Sequence, residues 1–170
     1  MWTNDNYGWR KGTSSMSNQE NLHFQYCQKL VILSEGLKAV LLARRAGEAD
    51  YDGVYSFIGG KMETTDNGLV DGMTREKNEE IGSMARVRIL AGESHNVFFR
   101  KQDGNAMILP HIAAVYDGGP IELNEEYSDY KWVKIEELPA FEPKIDTVMT
   151  AVHWAIGRLS TASEADFTTI

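Results

Sequence analysis

Only two stretches of this chain carry apolar residues at helical spacing, and that scarcity limits the fold more than any other feature. Over 69–82, Leu69, Val70, Met73 and Ile81 supply the apolar contacts of one helix. Near the end, Ile145, Val148, Met149, Val152, Ile156 and Leu159 share one face of a second. Pro143 suits a first turn, so this helix is expected to begin near it. The rest reads as short strands. Leu22, Phe24 and Tyr26 alternate with polar residues and lead into the apolar run Leu30–Leu33. A turn at Ser34-Glu35-Gly36 then returns the chain along Lys38–Ala43 as a hairpin. Further strands are expected at Val54–Ile58 and near 85–91, 95–101, 106–116 and 130–134. Many strands with two helices fit a mixed sheet flanked by helices, an α+β architecture.

With 170 residues the chain suits one domain with a real core. The expected divisions are a flexible polar arm at 1–20, a domain at 21–160 and a polar tail at 161–170. Trp2, Tyr7 and Trp9 in the arm are candidates for docking on the body or on a second copy in a homodimer. No signal-peptide pattern and no membrane-length apolar run is present, so a cytoplasmic protein without a membrane partner is the expectation. Cys27 is the only cysteine, which excludes an internal disulfide and a Cys-rich metal site.

The formal net charge of -8 argues against bulk binding to DNA or RNA. A small anionic ligand is still compatible if a divalent cation bridges the two. The segment GGKMETTDNGLVDGMTREKNEEIG, residues 59–82, supplies a place for that cation. Glu76, Glu79 and Glu80 are spaced to share one helix face. Like charges so placed repel each other, and Arg75 offsets only part of the repulsion. Carboxylates without His or Cys suit Mg²⁺ or Mn²⁺, which commonly bridges protein carboxylates to substrate phosphates. Gly59-Gly60 allows a sharp backbone turn beside the helix and a carbonyl in the metal shell, and Lys61 is placed to meet a phosphate. With no obvious covalent nucleophile, direct attack by water is the expected route.

These residues resemble the Nudix box. Arg75-Glu76-Lys77-Asn78-Glu79-Glu80-Ile81-Gly82 matches its second half, and Gly59-Gly60-Lys61-Met62-Glu63 matches its usual beginning. Tyr55-Ser56-Phe57-Ile58 resembles the lead-in, with Ile58 in place of proline. Trp132-Val133 followed by Glu136-Glu137-Leu138 resembles a common C-terminal segment of the family. The resemblance implies an α/β/α sandwich around a mixed sheet and hydrolysis of a nucleoside diphosphate linked to another group, with Mg²⁺ or Mn²⁺. It makes Glu76, Glu79 and Glu80 metal ligands or water activators and Gly60 a backbone ligand. Arg75 then orients the glutamates, and Glu63 is an outer ligand or structural contact. Four departures stand out. The segment from Gly60 to Arg75 has one residue more than the pattern allows, which lengthens the loop at 64–68. The first-half glutamate, which generally supports the arginine in the family, has no counterpart, Asp66 or Asn67 falling nearest. Lys77 and Ser83 each replace a hydrophobe.

Outside the box, Glu126 lies where some relatives place a catalytic glutamate, making it a candidate general base beside Glu79 and Glu80. Tyr55, Phe98, Phe99 and Trp132 are candidates for stacking on a nucleobase, core packing being the alternative. Arg44, Arg45 and Arg100 are candidates for phosphate pairing. Substrate choice is expected in loops 45–53, 101–105 and 117–129. Nucleoside triphosphates, dinucleoside polyphosphates and nucleotide sugars satisfy the same box. The rival readings are a non-catalytic nucleotide-sensing module and a prenyl diphosphate isomerase, for which Cys27 is poorly placed.

Overall fold

The computed structural model describes Trp2–Asp5, Gly8–Lys11 and residues 23–47, 51–101 and 103–170. Strand β1 (Trp2–Asp5) pairs antiparallel with β2 (Gly8–Lys11) as a small sheet of its own. The rest of the expected arm, Tyr7 included, lies outside the described residues.

The main sheet is mixed. It contains β3 (Phe24–Tyr26), β4 (Lys29–Leu33), β5 (Ala39–Arg45), β6 (Tyr55–Ser56), β7 (Val87–Ile89), β8 (His95–Arg100), β9 (Ala106–Tyr116), β10 (Tyr127–Lys134) and β11 (Thr168–Thr169). The backbone path runs β10-β5-β4-β9-β7-β11, with β3 and β8 added to β9 and β6 to β5. β3 and β4 run parallel to β9, and the other pairs are antiparallel.

Period-two alternation sorts the core into two layers. Val31, Leu33, Val40, Leu42, Ala113 and Val115 pack on one face against α2 (Thr147–Leu159), through Val148, Ala151, Val152 and Ala155. Leu30, Ile32, Leu41, Ala43, Ile112 and Ala114 pack on the other against α1 (Leu69–Ile81), through Met73 and Ile81. β4 is buried along its whole length because both faces are covered. Each buried Val, Leu, Ile or Met among them contributes roughly 1.5–3 kcal/mol, so the two layers fix which face of α1 turns inward.

Several boundaries differ from the sequence reading. The first expected strand is divided into β3 and β4, which follow β9 separately. α2 starts at Thr147, later than Pro143, because the backbone of 143–145 is engaged elsewhere. Tyr55 N–H donates to Pro143 O at 3.0 Å and Ile145 N–H to Tyr55 O at 3.1 Å, which keeps that segment extended. The polar tail closes the sheet: Thr168 pairs with Ile89, and Ile170 exchanges hydrogen bonds of 2.8 and 3.1 Å with Val87.

Candidate active site

The turn after β6 brings Gly59 and Gly60 against α1. Leu30 N–H donates to Ile58 O at 3.0 Å and Gln28 N–H to Gly60 O at 2.9 Å, so this segment lies beside β4 as an added strand. Gly59 has φ +113°, which disfavours a side chain, and a Cβ there would meet Gln28 O. A Cβ on Gly60 would run into the Glu76 carboxylate. Glycine thus lets the backbone come within reach of the helix's acidic face.

Arg75 organises that face. Nε and Nη2 bond the two Asp66 oxygens, each at 3.0 Å. Nη1 donates to Glu76 at 2.8 Å and Glu79 at 3.2 Å, and Nη2 donates to Lys61 O at 2.9 Å. These five bonds use the full donor set of a guanidinium. The two bonds to Asp66 are the main cause that holds its carboxyl below its usual range, helped by the backbone N–H of Glu63. Asp66, near where the first-half glutamate is missing, is thus the acidic partner that fixes the Arg75 fork. Its shorter side chain is met by the loop that is one residue longer. Glu63 is more distant, 3.9 Å from Arg75 and exposed.

The three glutamates occupy different environments. Glu79 is half exposed and bonded only to Arg75 among the hydrogen bonds described. Glu76 is buried, and burial raises its carboxyl pKa against the lowering effect of Arg75. Glu80 is the deepest, at 3 % exposure. It accepts the Gly59 N–H and, at 3.0 Å, the Tyr127 hydroxyl. Burial pushes Glu80 up to about 7 even though Lys29, Gly59 N–H and Tyr127 all favour its charged form. Burial also raises the Tyr127 phenol. Lys29 itself is buried, and its ammonium donates to Gly59 O.

The oxygen set formed by Glu76, Glu80 and the Gly59 carbonyl fits a hard divalent ion, which is content with one or two carboxylates plus water and phosphate. Among the described residues no three Asp, Glu, His or Cys side chains converge as a self-sufficient cage. Gly60, expected as the backbone ligand, already accepts the Gln28 N–H. The carbonyl beside a cationic group is that of Gly59.

The other expected site residues are placed as follows. Glu126 directly precedes Tyr127; its carboxylate is exposed and meets Asn124 Nδ2 at 3.5 Å. Lys61 is exposed. Arg44 donates to Gly53 O at 3.1 Å, bracing the loop after β5, whose residues 48–50 lie outside the described residues. Tyr55 is 4 % exposed, 5.0 Å from the Phe141 ring, and its hydroxyl donates to Asp129 at 2.8 Å. That is core packing, with no ring face left open for a base. Phe98 is exposed and forms an edge contact with Phe24 at 5.5 Å. Trp132 lies 5.3 Å from Tyr116. Lys77, where a hydrophobe was expected, is buried at 2 % exposure and donates to Ala85 O at 2.8 Å.

A family model for the NUDIX domain matches residues 29–152 of this chain. The chain belongs to the Nudix family. This membership supports a Nudix-type pyrophosphohydrolase. Solved structures of the same fold include the MutT protein from Methanosarcina mazei Go1, at 23 % identity and TM-score 0.61, covering 84 % of this chain and 99 % of that one. The NUDIX domain of Shewanella oneidensis NrtR, complexed with ADP ribose, aligns at 17 % identity and TM-score 0.64, over 81 % and 89 % of the two chains. A C. elegans Ap4A hydrolase aligns at 15 % identity and TM-score 0.65, over 81 % and 99 %. A search of curated proteins returns no match. Among the described residues no helix is long and apolar enough to cross a membrane.

Lys29, Tyr127 and Asp66's role were not found from sequence. Asp66 carried a weak signal, being nearest to the missing glutamate. Lys29 and Tyr127 lie 30 residues from Gly59 and 47 from Glu80 respectively, and no local pattern joins them to the box.

Proposed function

We propose that this chain hydrolyses a phosphoanhydride bond in a small nucleotide-type substrate, using Mg²⁺ or Mn²⁺. The observation that carries this reading is the gathering of Glu76 and Glu79 on Arg75 and of Glu80 on the Gly59-Gly60 turn, on one face of α1. A divalent ion bound there would neutralise phosphate charge and ease attack by water. Arg75 fixes Glu76 and Glu79, while Gly59 N–H and Tyr127 fix Glu80, so the acidic face is organised before substrate arrives. Water oxygen bonds to phosphorus, the anhydride P–O bond breaks, and the leaving phosphate takes its electron pair. The water's proton passes to a carboxylate of this group, whose members titrate together.

The ADP ribose and Ap4A of the structural neighbours' names suggest what to offer the enzyme. A panel of nucleoside triphosphates, dinucleoside polyphosphates, ADP ribose and nucleotide sugars, with Mg²⁺, Mn²⁺ or EDTA, should yield metal-dependent cleavage with two phosphate-bearing products. Glu79→Gln should lower kcat by about 10²-fold or more while the protein stays folded. Glu126→Gln in the same assay assigns the proton acceptor: a comparable loss places it in the loop before β10, and a near-normal rate leaves it on α1. Tight binding across the panel without turnover would replace the enzyme by a nucleotide-sensing module.

A further inference from the structure

A cation belonging to the protein lies among the oxygens that suit a metal. Lys29, the first residue of β4, is buried, and its ammonium donates to the Gly59 carbonyl. Gly59 N–H donates to Glu80 and Gly60 packs against the Glu76 carboxylate, so the lysine reaches a turn flanked by both glutamates. The position is imposed by the sheet. Lys29 is aligned with His111 of β9, and the adjacent Leu30 N–H to Ile58 O bond of 3.0 Å sets Gly59 beside it.

We propose that Lys29 is a built-in counter-cation that competes with the divalent metal for the Gly59 carbonyl and the field of Glu76 and Glu80. The proposal rests on the metal-dependent reading above. Arg75 bonds Glu76 but not the deeper Glu80, so part of the repulsion between these two buried carboxylates on one helix face is left uncompensated. The ammonium relieves that repulsion. A divalent ion entering the same oxygens meets a like charge at close range, where the interior screens it far less than bulk water does. Metal entry therefore requires the ammonium to leave Gly59 O. A lysine suits this exchange, because its compact charge sits on a flexible four-carbon stem, whereas an arginine fork is rigid and harder to displace. The consequence is a site that is organised before metal binds and takes metal more weakly than its oxygens alone would.

The test measures Mn²⁺ affinity of the full chain by electron paramagnetic resonance of free Mn²⁺, alongside melting temperature in EDTA and in Mn²⁺. Lys29→Met keeps the apolar stem and removes the charge. It should bind Mn²⁺ about tenfold more tightly than wild type. It should also melt lower in EDTA and gain more Tm on adding Mn²⁺. Should this variant fail to fold by circular dichroism, Lys29→Gln provides the same comparison. Unchanged or weaker Mn²⁺ affinity in a folded variant overturns the competition. Glu76→Gln locates the ion, because it should abolish Mn²⁺ binding and leave the free-ion signal undiminished. A wild-type protein that binds no Mn²⁺ overturns the metal reading of the proposed function and this proposal with it. A wild type that binds Mn²⁺ while the Lys29 variant binds no tighter overturns the role of Lys29 alone.

Discussion

Replacing Glu80 by glutamine in the presence of EDTA reads out how much the buried carboxylate costs the fold. Burial pushes Glu80 from 4.5 up to about 7, so the folded chain holds this proton more tightly than the unfolded chain does. Each tenfold difference in proton affinity is worth about 1.4 kcal/mol. The resulting stability, roughly 3 kcal/mol, is fully present below pH 4.5 and is lost as pH rises to about 7. His111 works in the opposite sense. Burial pushes it from 6.5 down to about 4, so its contribution is lost as pH falls through that window. The two oppose each other between pH 4.5 and 6.5, and the wild-type stability curve should be shallow there. In Glu80→Gln the Glu80 trend is gone, while those of His111 and Glu76 remain. The side chain can still be accommodated: its carbonyl accepts the Gly59 N–H and its amide donates to the Tyr127 oxygen. Glu76 is present in both proteins, so its own titration largely cancels in the difference. Urea unfolding at a series of pH values from 4.5 to 7.5, analysed by linear extrapolation, gives that difference directly. The variant should gain roughly 3 kcal/mol on wild type between pH 4.5 and 7. A difference that stays within about 1 kcal/mol across the range refutes a burial-driven rise in the Glu80 pKa.

Two other substitutions test the supports of the site. Asp66→Asn removes the charged partner of the Arg75 fork and should lower kcat by roughly 10–100-fold with the fold retained. A near-normal rate would show that Glu76, Glu79 and Lys61 O position Arg75 unaided. Lys77→Leu removes a buried ammonium whose pKa burial lowers, at the cost of one bond to Ala85 O. It should raise Tm by about 2–4 °C, because a well-packed hydrophobe avoids the desolvation cost; a clear fall in Tm would show that the Ala85 bond dominates.

The extent of α1 and the acidic face were legible because both depend on neighbours within one helical turn. The spacing of Glu76, Glu79 and Glu80 needs only the helix period, and the structure places all three by Arg75 or the Gly59 turn. β9 was equally plain, being a long run of strand-forming residues. The start of α2 was misread because Pro143 suits either a first turn or an extended segment, and the bonds to Tyr55 decide between them. Thr168–Thr169 reads as a polar tail until the open edge of β7 gives it a partner. Tyr55 offered an aromatic ring for stacking, yet the core face of β6 claims it.

The sequence by itself determined the helix periods, the strand alternation and a carboxylate cluster next to two glycines. Tertiary structure alone decided that Glu80 is buried under Tyr127, that Asp66 holds Arg75, and that Lys29 reaches Gly59. The reason is physical. Secondary structure responds to forces acting between near neighbours in the chain, whereas desolvation and charge pairing depend on distances set only when remote strands come into register.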